Sequence, residues 1–263
     1  MRRFYRILHK GTARHVVEED GRWRLIDGDI FGSYELGEPV GSSGHRLLPP
    51  IMPSKIVAVG LNYKDHAAEQ NKPLPAEPMI FIKPSTAVIG PGDPIVIPEG
   101  VGRVDHEAEV GVVIGAQAWR VGPTDAHRYV FGLTCVNDVT ARELQARDVQ
   151  YTRAKGFDTF APIGPCIASG LDYHSTGGIA VEGWVNDTRR QSSSTRELIF
   201  SIDRLVAFIS SVMTLLPGDI ISTGTPAGIG PIQPGDRVTI KVEGVGELSN
   251  PVGLAVRAAP LAS

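Results

Sequence analysis

The residues of this chain best suited to chemistry are carboxylates. Glu107 and Glu109 lie two apart in the run Asp105-His-Glu-Ala-Glu-Val-Gly-Val-Val-Ile114, and Asp138 follows 29 residues after Glu109. Side chains alternate faces along a strand, so Glu107 and Glu109 are expected to point the same way. Two carboxylates on one face repel unless a proton or a cation joins them. Val110 to Ile114 is apolar enough for the centre of a sheet, and charges entering a buried strand need a partner. Asp138 ends a second apolar run, Phe131 to Val136. Three carboxylates with no cysteine or histidine pair nearby would make an all-oxygen site. Such a site suits Mg2+ or Mn2+ and leaves positions for water or substrate oxygens. Spacing alone leaves a second reading open, with Glu107 and Glu109 on the solvated face of an edge strand.

Two further pairs have useful spacing. His66 and Glu69 are three apart on a short helix read over Lys64 to Gln70, so they meet on one face. A carboxylate that orients an imidazole makes a general-base dyad. Arg142 and Gln145 follow Asp138 by four and seven residues, at helical spacing, and the planar fork of Arg142 suits a carboxylate. His106 is expected to face away from Glu107 and is given no catalytic part. His9, His15, His45, His127 and His174 carry no motif, and Arg147 and Arg153 read as solvated.

The elements that must position these groups are mostly strands. Phe4 to Leu8, His15 to Glu18 and Trp23 to Ile26 alternate loosely, with a turn at Glu19-Asp20-Gly21. The stretch 37–53, rich in Gly, Ser and Pro, reads as a linker. Strands are expected at Ile56 to Gly60, Met79 to Ile82, Ile95 to Ile97, Val110 to Ile114 and Phe131 to Val136. A helix is expected over Thr140 to Tyr151, with Leu144 and Val149 as its apolar members. Ser201 suits the N-cap of a second helix, with Leu205, Val206, Ile209, Val212 and Met213 at helical spacing. Pro-Gly-Asp occurs at 91–93, 217–219 and 234–236, each time before a β-like run. Pro then Gly at the two central positions suits a type II turn, whose third residue needs positive φ.

Bulk composition narrows the function classes. Net charge is −3, which offers no basic face for nucleic acid. No apolar run approaches the roughly 20 residues of a membrane span, and the N-terminus lacks the apolar core of a signal peptide. A cytoplasmic protein is expected, with Cys135 and Cys166 as reduced, buried thiols.

Six blocks together resemble the fumarylacetoacetate hydrolase family. They are Gly60-Leu-Asn-Tyr-Lys-Asp-His66-Ala-Ala-Glu69, Phe81-Ile-Lys83-Pro-Ser, His106-Glu-Ala-Glu109, Asn137-Asp-Val-Thr-Ala-Arg142-Glu-Leu-Gln145, Lys155-Gly-Phe-Asp-Thr-Phe-Ala-Pro162 and Thr223-Gly-Thr-Pro-Ala-Gly228. They occur in the family's order over roughly residues 54–253. The resemblance implies an α+β, mostly β fold, a mixed β-sandwich-like roll of the family's C-terminal domain type. It divides the chain into a small β-rich N-terminal unit, 1–53, and a catalytic metal-binding domain, 54–263. It implies one Mg2+ or Mn2+ ion per chain on Glu107, Glu109 and Asp138. His66, Glu69 and Lys155 become catalytic; Lys83, Arg142, Gln145 and Thr225 become substrate contacts. The short N-terminal unit, and the lack of a long insertion between Asp138 and Lys155, favour the short bacterial members.

In such a family the substrate would be a small 2-oxo acid or dicarboxylate, and the protein a homodimer without nucleic-acid or membrane partners. The leading expectation is a 2-hydroxyhepta-2,4-diene-1,7-dioate isomerase or decarboxylase of aromatic-acid breakdown. An acylpyruvate hydrolase or an oxaloacetate decarboxylase would share the metal site. A catalytically idle binding protein with a structural metal is the reading from another class.

Overall fold

The computed structural model describes residues 1–255. The chain opens with β1 (Arg2–His9), β2 (Thr12–Glu19) and β3 (Arg22–Gly28). Lys10-Gly11 and Asp20-Gly21 join them with positive φ at both central residues, the turn whose twist suits two-residue hairpins. The expected pairing across Asp20 is the one found, with Glu18 opposite Trp23. The stretch expected as a linker is not one throughout. It contributes the end of β4 (Tyr34–Val40) and all of β5 (Arg46–Leu48). Pairing overrides composition there, since Val40 lies opposite Trp23 and Leu47 opposite Ile7.

Further elements follow. They are β6 (Ile56–Gly60), α1 (Lys64–Glu69), β7 (Met79–Lys83), β8 (Val88–Ile89), β9 (Ile95–Ile97), β10 (Val104–His106), β11 (Ala108–Ile114) and β12 (Val130–Asn137). After them come β13 (Thr140–Ala141), α2 (Arg142–Arg147), α3 (Thr152–Lys155), β14 (Ala161–Ser169), β15 (Ala180–Val185) and β16 (Thr188–Ser194). The last are α4 (Ile202–Val212), β17 (Ile220–Ser222), β18 (Gly230–Pro231), β19 (Arg237–Val242) and β20 (Gly246–Leu254).

The architecture is mostly β, as expected, in several sheets, with no closed barrel among the described residues. The main sheet runs β4-β3-β2-β1-β14-β12-β11-β17-β6-β7, so β1 pairs directly with β14 and the N-terminal strands continue the same sheet. A second sheet runs β16-β15-β19-β20-β9, and β13-β10-β18 forms a third. The main core lies beside β11, β12 and β14 and includes Val110, Val112, Leu133, Phe160 and Ile240, all buried. At about 1.5–3 kcal/mol for each fully buried large aliphatic chain, this core is what keeps charged neighbours in place.

Local signals mostly hold. Gly92, Gly218 and Gly235 of the three Pro-Gly-Asp turns take φ of 80°, 86° and 95°. Ser201 Oγ accepts from the Arg204 N–H, capping α4, and Leu205, Val206 and Ile209 are buried. Val212 at the last helical position is exposed, while Met213 just past it is partly buried against the main core.

Of the helix expected over Thr140 to Tyr151, only Arg142–Arg147 is helical, and α3 lies beyond its expected end. Thr140 and Ala141 are drawn into β13 opposite Asp105 and Val104. At the other end Asp148 is extended and its N–H closes on the Leu144 carbonyl. Val149, expected as an apolar helix member, is 94% exposed between α2 and α3.

Candidate metal centre

The run from Val104 to Ile114 is not one continuous strand. It breaks at Glu107, where the chain passes from the small β10 sheet to the main sheet through β11. The Glu107 N–H donates to Asn137 Oδ1 at 3.0 Å, and its carbonyl accepts from the Asp138 N–H at 2.9 Å. Antiparallel pairing of β11 with β12 sets Ala108 opposite Asn137 and delivers Asp138 beside Glu107. Convergence therefore rests on this cross-strand clamp as much as on alternation along one strand.

Glu107, Glu109 and Asp138 are buried, and one carboxylate oxygen from each lies within 4.8 Å of the other two. Lys155 Nζ donates to Glu107 Oε2 at 2.7 Å and to Asp138 Oδ2 at 2.6 Å. Lys83 Nζ donates to Asp138 Oδ1 at 2.5 Å and to the Val139 carbonyl at 3.2 Å. Arg142 Nη2 donates to Glu107 Oε1 at 2.6 Å. Glu109 is served differently. Its Oε2 accepts from Ser222 Oγ at 2.5 Å and from the Gly224 N–H at 2.9 Å, with no cation among its hydrogen-bond donors.

The electrostatics follow these partners. Burial pushes Glu107 up, but Lys155 and Arg142 outweigh it and hold the group down at about 2. Burial, with Asp138 and Glu107 as like charges, pushes Glu109 up to about 8. Burial lowers Lys83 despite Asp138, whereas Lys155, between two carboxylates, is raised against the same penalty. The donor set fits a hard divalent cation. It is all carboxylate oxygen, and Glu109 is a carboxylate whose ionised form only a further positive charge would relieve.

The three carboxylates face a cavity of about 370 Å³ that is also lined by His66, Arg142, Gln145, Lys155 and Thr225. His66 Nδ1 and Glu69 Oε2 are 2.9 Å apart, so the expected dyad is in contact. Glu69 Oε1 also accepts from the Gly228 N–H at 3.0 Å, tying α1 to the Thr223–Gly228 loop. Gly224 and Gly228 have φ of 98° and 96°, and a Cβ on Gly228 would lie 2.0 Å from the Arg190 carbonyl. Only glycine lets both N–H groups meet the two glutamates there.

Lys83 does not sit where a substrate contact should. It is fully buried, is absent from the cavity wall, and spends its ammonium on Asp138 and Val139. A carboxylate leaving a sheet needs a counter-charge on its buried side, and Lys83 supplies it. Thr225 lines the cavity, but its hydroxyl donates to the Ala108 carbonyl at 3.0 Å and must turn to reach a ligand.

Four supporting residues escaped the sequence reading. Asp105, fully buried, accepts from Arg103 and from Arg142 Nε at 2.9 Å and so orients the guanidinium that holds Glu107. Ser222 holds Glu109 from β17. Gln70 Nε2 lies 2.8 Å from His66 Nε2. Gln191, on β16, uses its whole amide. Oε1 accepts from the Ala108 N–H at 2.9 Å and pairs with His106 Nδ1 at 3.1 Å, while Nε2 donates to Thr225 Oγ1 at 2.7 Å and the Pro226 carbonyl at 2.9 Å. Asp105 directly precedes the His106–Glu109 block, a charge next to a buried strand, whereas Gln191 stands alone in the sequence without a signal. Cys135 and Cys166 are buried and unpaired, as expected. Among the described residues no helix is long and apolar enough to cross a membrane.

Comparison with known proteins agrees with this site. Residues 55–253 match the model of the fumarylacetoacetate (FAA) hydrolase C-terminal family. The chain is similar to 5-carboxymethyl-2-hydroxymuconate delta-isomerase from Mycobacterium smegmatis, at 43% identity and a TM-score of 0.89 over 96% of this chain and 100% of that one. It is similar to 2-hydroxyhepta-2,4-diene-1,7-dioate isomerase from Mycobacterium marinum, at 39% identity and 0.89 over 98% and 100%. It is also similar to maleylpyruvate hydrolase from Sphingobium sp. SYK-6, solved with manganese (II) ion and pyruvate, at 30% identity and 0.79 over 97% and 100%. With a family match across most of its length and relatives aligned almost end to end, the chain belongs to the fumarylacetoacetate hydrolase family.

Proposed function

We propose that this protein is a Mg2+- or Mn2+-dependent enzyme acting on small 2-oxo acids or their enols, best read as a 2-hydroxyhepta-2,4-diene-1,7-dioate isomerase or decarboxylase of aromatic-acid breakdown. The observation that carries the reading is the buried Glu107–Glu109–Asp138 triad opening on a cavity that is also lined by His66, whose Nδ1 contacts Glu69. A divalent ion on the triad would act as a Lewis acid, stabilising the charge that builds on a 2-oxo oxygen.

The chain's own groups then have separate tasks. Lys155 has three donors and spends two on Glu107 and Asp138, which leaves one for an anionic substrate oxygen. Arg142 spends three of five N–H donors on Asp105, Gln145 and Glu107, which leaves two for a carboxylate. Gln145 is fixed by Arg142 at the cavity wall. Glu69 takes the Nδ1 side of His66, so Nε2 is the nitrogen that accepts a proton. Gln70 must swing away from Nε2 first. Lys83 holds Asp138 from behind.

The likeness to maleylpyruvate hydrolase supports a second reading, an acylpyruvate hydrolase with the same metal and dyad, in which His66 activates water. Purified protein with added Mg2+ or Mn2+ should be assayed by loss of enol or diene ultraviolet absorbance on a panel of 2-oxo acids and dienols. Metal-dependent turnover supports the reading. A protein that binds metal but turns over no such compound would be a binding protein instead.

A further inference from the structure

Three cations line the cavity: Lys72, Arg142 and Lys155. Two are neutralised within the site, Arg142 by Asp105 and Glu107 and Lys155 by Glu107 and Asp138. Lys72 makes no ion pair among the described residues, and its side chain stands at the exposed rim.

A solvated lysine is usually mobile, but the backbone of this one is fixed. Helix α1 ends in a closed cap. The Asn71 N–H donates to the Ala68 carbonyl at 3.1 Å and the Lys72 N–H to the Ala67 carbonyl at 3.0 Å. Asn71 takes φ of 52°, the left-handed residue this cap requires, and Pro73 stops the helix from continuing. The cap places Lys72, six residues after His66, on the same cavity. The cavity lining also has an apolar part, from Val59, Leu61, Met79, Phe81, Tyr151 and Ile229.

We infer that Lys72 is a specificity-determining residue that selects substrates carrying a second carboxylate, separated from the 2-oxo acid head by an unsaturated or aliphatic spacer. This rests on the metal-dependent reading proposed above, whose best substrate is already a diacid, and assigns the residue that distinguishes it from a monoacid. The apolar part of the lining takes the spacer, the carboxylate triad with its cation takes the head, and the unneutralised ammonium takes the far anion. A substrate with a neutral tail would leave Lys72 without a partner.

The test uses full-length protein loaded with Mn2+ and reads binding by calorimetry, not turnover. Probes are 2-oxoglutarate, 2-oxoadipate and 2-oxopimelate, each paired with the monoacid of equal chain length. At least one diacid is expected to bind about tenfold or more tighter than its monoacid in the parent protein. Lys72→Gln should bring that pair within about twofold, leave monoacid affinity unchanged, and lose the salt dependence of diacid binding; Lys72→Arg should keep the preference. Tight binding of both acids with no diacid preference, or a preference that survives Lys72→Gln, overturns the role of Lys72 alone. Failure of every 2-oxo acid to bind the Mn2+-loaded protein overturns the metal-site reading and this inference with it.

Discussion

Lys155 Nζ bridges Glu107 Oε2 and Asp138 Oδ2 at 2.7 and 2.6 Å, so one ammonium holds two of the three carboxylates of the candidate metal centre. Its positive charge offsets their mutual repulsion and also opposes a second cation. Lys155→Met is therefore expected to tighten Mn2+ binding, by roughly tenfold, while turnover falls by about a hundredfold or more. Calorimetric titration with Mn2+ beside steady-state kinetics checks both. Weaker metal binding in that variant would mean that the lysine builds the site without competing for it.

Glu109 sets a pH dependence. Burial and its two carboxylate neighbours raise it to about 8, so metal must displace a proton from it below that pH. Divalent affinity should fall roughly tenfold per pH unit below about 8 and level off above it. The sign for stability is the reverse in metal-free protein. A carboxyl raised on folding contributes stability at low pH and loses it as pH climbs from the ordinary carboxylate range to about 8. Glu107, held at about 2, acts only in acid, where its contribution disappears as pH drops toward that value. Urea unfolding of metal-free protein between pH 5 and 9 should show the decline, and saturating Mg2+ should remove it.

His66→Ala is expected to cut turnover by about a hundredfold to ten-thousandfold while Mn2+ affinity changes less than about twofold. The imidazole lines the cavity but donates to none of the three carboxylates. Unchanged turnover in this variant would remove the histidine from the mechanism.

Gly228→Ala tests the link between α1 and the Thr223–Gly228 loop. A methyl there meets the Arg190 carbonyl at 2.0 Å with φ at 96°, so the loop must move and the Gly228 N–H leaves Glu69. Turnover should drop about tenfold or more with metal affinity unchanged, because Glu109 relies on Gly224 and Ser222 instead.

Gln191→Leu removes the acceptor of the Ala108 N–H and the donor to Thr225 and Pro226, leaving buried polar groups unpaired. A loss of about 3 kcal/mol or more is expected, with a raised KM, since Thr225 loses its anchor. Gln191→Glu restores the acceptor but not the donor and should lie between. Chemical unfolding and KM on the same preparations measure it.

What the amino-acid order determined by itself was local. His66 and Glu69 three apart, Ser201 before α4 and the three Pro-Gly-Asp turns are all decided by backbone geometry within a few residues. The six ordered blocks added the family and, with it, the reading of Glu107, Glu109 and Asp138 as metal ligands rather than a solvated face. Only tertiary structure decided the rest, because hydrogen bonds between distant strands carry no local signature. Pairing turned stretch 37–53 partly into strand and took the first two residues from the helix expected over Thr140 to Tyr151. It put Lys83 behind Asp138 rather than against a ligand, and it brought Gln191 across 83 residues to the Ala108 N–H. A buried polar group must find its partner wherever the fold supplies one, and the register that supplies it is a property of the assembled sheets.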